Sequence, residues 1–249
     1  MNYSLILLVA GAIFLGSLMR STFGFGDAVV SMPLLALLPI PFSVAVALVG
    51  LVGFTVALVF AYSGWQDKDS VVLTKMSIAT VIGIPFGLML IQLVEQKWVK
   101  LILGILLISY ALYSLFGPKD QHASLEKSFQ NSNYAIPFGF FSGMLGSAYN
   151  TNGTPVVLYA TLRNWGPRAF RGNIQSHFII SSSFILLSHF LSGLWTKEVG
   201  IYYLASIPAV LLAVLLGNAI YRRIDTSKFR NYVFYLIFIL GLLTLYEVF

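Results

Sequence analysis

The 249-residue chain is 58% hydrophobic and only 10% charged, with a mean hydropathy of +0.85, whereas soluble domains carry about 25% charged residues. That composition points to a polytopic membrane protein, and apolar runs fill the chain so completely that a separate soluble catalytic domain is excluded. Cysteine is absent, which excludes disulfides, thiolate metal sites and iron–sulfur chemistry; the net charge of +6 is assigned to cytoplasmic loops rather than to nucleic acid binding.

The run from Asn2 to Met19 has no Lys or Arg before it and Arg20 after it, so it is read as retained structure and not as a cleaved signal peptide. As helices, residues 3 to 19 form an apolar limb of about 25 Å and residues 28 to 38 a limb of only about 16 Å. Between them lies Ser21-Thr22-Phe23-Gly24-Phe25-Gly26-Asp27, a polar, glycine-broken interruption. The second limb cannot cross a hydrocarbon core of about 30 Å, and Pro39 and Pro41 end it. Residues 3 to 38 are therefore predicted to form a helical hairpin that enters the membrane and returns, with Asp27 at the N-cap of its second limb. Full spans are predicted at about 42 to 62, 71 to 92 and 99 to 116.

The polar segment 117 to 132, with Lys119, Asp120, His122, Glu126 and Lys127, separates a first repeat (1 to 116) from a second (133 to 249) within one transmembrane domain, 1 to 249. After it the pattern restarts. An apolar limb at 134 to 145 is interrupted by Gly146 to Pro155, and a short limb at 155 to 162 follows, with Pro155 at its first helical position. Spans at about 173 to 193, 200 to 221 and 230 to 248 complete the half. Each half is one hairpin plus three spans, and an odd number of crossings inverts one half relative to the other. The predicted fold class is an all-α membrane protein of two inverted repeats, and broken helices at matching positions point to a transporter site near the midplane.

Loop charge sets the orientation. If both hairpins return to their side of entry, one face carries Lys68, Lys75, Lys119, Lys127, Arg163, Arg168, Arg171, Arg222, Arg223, Lys228 and Arg230, and the other only Lys97, Lys100 and Lys197. That is eleven against three; hairpins that crossed the membrane would split the same residues nine to five. The positive-inside rule prefers the first arrangement, which places both termini outside the cytoplasm.

Irregular backbone at membrane depth persists only where it is buried in protein or lines a wet cavity, so the two breaks are the predicted site. Their short limbs begin at the breaks and aim N-terminal amides and a partial positive charge into the interior, which suits an anion. The candidate substrate-binding residues of the first break are Arg20, Ser21, Thr22, Gly24, Gly26 and Asp27. Arg20 has a structural ion pair with Asp27 as its alternative role, and Asp27 has N-capping set against proton coupling. Around the second break the candidates are Tyr149, Asn150, Asn152, Gly153, Thr154 and Tyr159, a Tyr hydroxyl being able to donate to an oxyanion. The span 173 to 193 is too polar to face lipid all round, and Gln175 and His177 are its candidates; its serines are read as interhelical packing. Three scattered histidines lack metal-ligand spacing, no nucleophile–base signature is present, and no G-x-x-x-x-G-K-[ST] motif occurs. The chain is thus not read as an enzyme, no cofactor or metal is expected, and transport must draw on a gradient or a partner.

At the two breaks the sequence resembles the TauE/SafE family of sulfite and organosulfur anion exporters. The matching residues are Phe23-Gly24-Phe25-Gly26 with Pro33-Leu34-Leu35, and Gly139-Phe140-Phe141-Ser142-Gly143-Met144-Leu145-Gly146 with Asn152-Gly153-Thr154-Pro155, Tyr159 and Phe170-Arg171. The chain departs from the family pattern at Asp27-Ala28, where many members look like Gly-Gly, and at Asn152 and Thr154, where Gly and Pro are common. The resemblance adds Arg171 to the candidates. It implies a secondary carrier in the inner membrane of a bacterial cell, moving sulfite, a sulfonate or a related organosulfur anion, usually outward. The partners implied are a small anionic substrate and the lipid bilayer, with a homo-oligomer compatible. The alternatives are an anion channel on the same scaffold and a non-transporting membrane assembly or sensor subunit.

Overall fold

The computed structural model describes residues 3–64, 68–93, 95–116, 128–225, 228–246 and 248, and among them every regular element is helical. The first half contains α1 (Tyr3–Phe23), α2 (Asp27–Ala36), α3 (Phe42–Gly64), α4 (Ser70–Leu93) and α5 (Gln96–Phe116). A 3-10 turn, Ser132–Tyr134, leads into α6 (Ala135–Tyr149), α7 (Gly153–Leu162), α8 (Pro167–Leu191), α9 (Lys197–Arg223) and α10 (Phe229–Tyr246). Residues 117 to 127, most of the predicted linker, lie outside the described residues. Five of these segments are long and apolar enough to cross a membrane, and large hydrophobic side chains such as Leu15, Leu58, Ile82, Phe86, Leu187 and Leu215 face outward from the helices. The chain is an all-α membrane protein.

The expected helix order is present, and the differences concern ends. The breaks are shorter than expected, with only residues 24 to 26 and 150 to 152 leaving the helix. Ser21 and Thr22 stay helical because neighbours bury them, and the Thr22 hydroxyl donates to the Leu18 carbonyl at 2.9 Å. With 21 residues, α1 is about 31 Å long and matches a full span, while α2 with 10 residues reaches only about 15 Å. The helix α8 begins six residues before the expected start, because Pro167 at its first turn follows an extended Gly166 and proline presets helical φ there.

Both broken pairs are hairpins. In the first, the Ser31 hydroxyl of α2 donates back to the Ala12 carbonyl of α1 at 3.2 Å; in the second, Tyr159 of α7 packs on Phe138 of α6 with ring centroids 5.4 Å apart. Helices of opposite halves then pair in an ordered way: α1 with α9, α4 with α6, α3 with α8 and α5 with α10. The α3–α8 pair is antiparallel, since Gly50 lies against Leu186 and His189 while Phe60 lies against Arg171. So is the α5–α10 pair, with Gly104 beside Leu245 and Gly241 beside Ile108. Matching devices recur in α4 and α9. Each starts at a side-chain cap, from Asp69 to the Val72 amide and from Thr196 to the Val199 amide, and each carries an interior proline, Pro85 and Pro208. Small residues bring backbones together at these seams; a Cβ on Gly143 of α6 would fall on the Thr80 carbonyl of α4.

Candidate functional site

In the first break Gly24 and Gly26 have φ of 92° and 95°, left-handed values that glycine adopts without a Cβ clash. They reverse the chain within three residues, so α2 starts beside the end of α1. The N-cap of α2 is Gly26 and no side chain caps the helix, which corrects the expectation that Asp27 would do so. Asp27 stands one position later, as the first helical residue, and its carboxylate receives the Arg20 Nη1 instead. The pair lies against α3 at Gly53, where a Cβ would come within 2.8 Å of the carboxylate and 2.9 Å of the guanidinium. Arg20 is 4% exposed and Asp27 15%. The Arg20 guanidinium sits 4.5 Å from the Phe178 ring centroid, and its Nε and Nη2 have no protein partner.

The helix α8 clasps this break from the other half of the chain. The Gln175 side chain donates to the Gly24 carbonyl at 3.1 Å, and Arg171 Nη2 donates to the Ser21 carbonyl at 3.0 Å. The Arg171 guanidinium lies 4.2 Å from the ring centroids of both Phe60 and Tyr221, and its Nη1 reaches Asn218 at 3.4 Å. Buried Ser21 packs on Gly217 of α9. Ser21, Thr22, Arg171 and Gln175 thus hold the shape of the first break.

In the second break Asn150 takes the left-handed position, with φ 58°, and its side chain donates to the Val46 carbonyl of α3 at 3.5 Å. Asn152 donates from Nδ2 to the Ser181 hydroxyl at 3.1 Å, and its carbonyl accepts from the Ser142 hydroxyl at 2.8 Å. The Ser142 hydroxyl has one proton, so its 3.1 Å contact with His177 Nε2 is a bond that the imidazole donates. His177 Nδ1 then remains a buried acceptor without a partner. Gly153 opens α7 directly against Phe178, whose ring a Cβ there would meet at 3.0 Å.

The two breaks border one cavity. Its wall is Phe25 to Val29 from one side and Asn150 to Thr154 from the other, closed by Val157, Leu158, Leu107, Ile237 and Leu240. The free space is small, about 20 Å³ to the centre of a water-sized sphere, enough for one water-sized group. Of the predicted site residues, Gly26, Asp27, Asn150, Asn152, Gly153 and Thr154 line it, and Arg20 lies behind Asp27. Tyr159 is elsewhere: its hydroxyl accepts from Arg163 at 2.9 Å, and Arg163 pairs with Asp69 at 2.9 Å. Tyr149 ends α6, but its side chain lies outside the described residues. Gly53, Ser142, Phe178 and Ser181 were not among the candidates; the glycine spacing Gly50-x-x-Gly53 in an apolar run was the one sequence signal for the first. Among the described residues no group of three His, Cys, Asp or Glu side chains is placed to hold a metal ion.

The profile of the family described as Sulfite exporter TauE/SafE matches residues 8–244. No curated protein and no solved structure gives a significant match. The match runs through both breaks and all the paired helices, and the chain belongs to the sulfite exporter TauE/SafE family.

Proposed function

We propose that the protein is a secondary transporter that exports a small anion, sulfite, a sulfonate or a related organosulfur anion, held between the two breaks. The observation that carries this reading is the shared cavity. The amides of Asp27, Ala28 and Val29 open α2, and that of Gly153 opens α7, without intrahelical acceptors, while Thr154 donates to the Thr151 carbonyl and Pro155 has no N–H; both helix starts are the positive ends of their helices and border the same space. Arg20 supplies a full positive charge behind Asp27. Arg20, Gly24, Gly26, Asp27, Asn150, Asn152, Gly153 and Thr154 are the proposed binding set; Ser21, Thr22, Arg171, Gln175 and His177 keep the breaks in shape.

Alternating access fits the helix pairing. A two-fold axis in the membrane plane sends every helix to an antiparallel counterpart, exchanges the α1–α9 pair with the α6–α4 pair, and leaves α3–α8 and α5–α10 paired with themselves. The observed pairing has this form, which supports two inverted repeats, 1 to 116 and 133 to 249. Orientation rests on loop charge. Asp69 bonds to both Arg163 and Asn173, and Arg163 reaches the carbonyls of Phe129 and Gln130, so the loops carrying much of the basic excess meet at one end. That end is proposed as cytoplasmic, in a bacterial inner membrane, with both termini on the other side.

Purified protein in liposomes, screened with sulfite, thiosulfate, sulfonates and sulfate, tests the function. Saturable flux with counterflow is expected. Flux that neither saturates nor shows counterflow identifies a channel, and no flux of any tested anion rejects the proposal.

A further inference from the structure

We propose that Asp27 is the chain's own stand-in for the transported anion: the substrate displaces its carboxylate from Arg20, and Asp27 takes up one proton as it leaves. The inference rests on the anion-carrier reading and names the coupling ion of that site.

Asp27 has no capping role, because Gly26 holds the cap and Asp27 bonds to Arg20. Asp27 borders the cavity, whereas Arg20 is buried behind it, so an anion entering the cavity meets a negative carboxylate before it meets the guanidinium. A carboxylate and a sulfonate present oxygens to a guanidinium fork in the same way. The Arg20 Nε and Nη2, buried without a protein partner, give the guanidinium unused donors for a larger oxyanion.

Charge decides whether both anions can stay. The Arg20–Asp27 pair is neutral, and a substrate monoanion added beside it leaves a net negative charge in a site with little water. Charge burial of that kind is costly. Protonated Asp27 with Arg20 bonded to the substrate is neutral again. The exchange balances as carboxylate, guanidinium, monoanion and proton going to carboxylic acid and a guanidinium–monoanion pair.

The groups around Asp27 include one rival proton acceptor, His177. From α1 the facing group is Arg20, from α3 Gly53, from α10 Leu240 against the neighbouring Gly26, and from α7 the turn at Gly153 and Thr154. The ionisable side chains of α8 here are Arg171, which donates to Ser21 and Asn218, and His177, which bonds Ser142 through Nε2 and keeps Nδ1 unpartnered, so the His177 variant below separates it from Asp27 as the acceptor.

Calorimetric titration of the purified full chain in nanodiscs with methanesulfonate and isethionate tests this, since both probes keep a fixed charge from about pH 5 to about pH 8. Repeating it in buffers of different ionisation enthalpy counts protons. The expected result is uptake of about one proton per anion, with affinity falling up to about tenfold per pH unit as pH rises through the uptake window. Asp27→Asn should bind without proton uptake and with a flat pH profile. His177→Gln should keep the uptake, which covers the case in which Asp27→Asn does not fold. Binding to the wild type without proton uptake overturns the inference and leaves the anion site standing. Uptake that persists in Asp27→Asn, or is lost in His177→Gln, also overturns it. Binding of neither probe to any of the proteins rejects the anion site, and the inference with it.

Discussion

The first break turns through two left-handed glycines and holds a buried guanidinium–carboxylate pair, whereas the second turns through Asn150 and holds only neutral groups, Asn152, Ser142, Ser181 and His177. Their bracing differs as well. The neutral break is tied mainly within its own half, by α6 and α8, with one long bond from Asn150 to the Val46 carbonyl of α3, whereas the charged break is tied to the opposite half through Arg171 and Gln175 of α8. One helix therefore serves both breaks, and Phe178 stands between Arg20 and Gly153. The first break thus carries charge, the second carries only neutral hydrogen-bonding groups, and α8 touches both; in the proposed site this becomes a division of labour.

The largest effect is expected from removing charge from the first break. Arg20→Gln strands Asp27, and losing one partner of a buried pair costs about 3 to 5 kcal/mol, so thermal unfolding should show a large destabilisation. Arg20→Lys keeps the charge without the planar fork and should be intermediate. Next comes the brace. Arg171→Gln loses a charged hydrogen bond to the Ser21 carbonyl, worth about 1.5 to 3 kcal/mol, and should lower both stability and transport, since the break it holds is part of the proposed site.

Ser142→Ala sharpens the contrast from the neutral side. It strands the His177 Nε2 proton and costs about 1 to 3 kcal/mol in stability, but anion affinity should fall by less than about tenfold because no charge is lost. A change in affinity as large as that of an Arg20 variant would erase the distinction between the breaks. The smallest effect is expected of Ser124→Cys, a tag for sidedness in a chain without native cysteine. It should leave transport unchanged and be labelled by an impermeant reagent only from the cytoplasmic side; labelling from outside intact cells would reverse the topology.

The hairpins and helix order were legible because glycine, proline and apolar run length act locally. The Arg20–Asp27 pair was legible too, as a short-range contact across a turn. What was not legible depends on neighbours distant in sequence. Ser21 and Thr22 read as loop but stay helical under the cover of other helices, among them α9 at Gly217. Gly53 lies 26 positions beyond Asp27 in numbering and reads only as one more small residue in an apolar run. Tyr159 is near the second break in sequence, yet six residues of helix carry it about 9 Å along α7, into a cluster with Trp165, Phe138 and Arg163. Asp27 missed the cap by one position, and that offset sends its carboxylate to Arg20.

The most direct test of the account is anion binding to the charge-neutral double variant Arg20→Gln/Asp27→Asn beside the wild type, each measured with its thermal stability in the same preparation. Removing both charges leaves no stranded ion, so the double variant should unfold closer to the wild type than Arg20→Gln does. Loss of a charged hydrogen bond worth about 1.5 to 3 kcal/mol should nevertheless weaken sulfonate or sulfite binding by roughly ten- to a hundredfold. A folded double variant that binds these anions as tightly as the wild type would contradict the claim that the first break supplies the charge that holds the substrate.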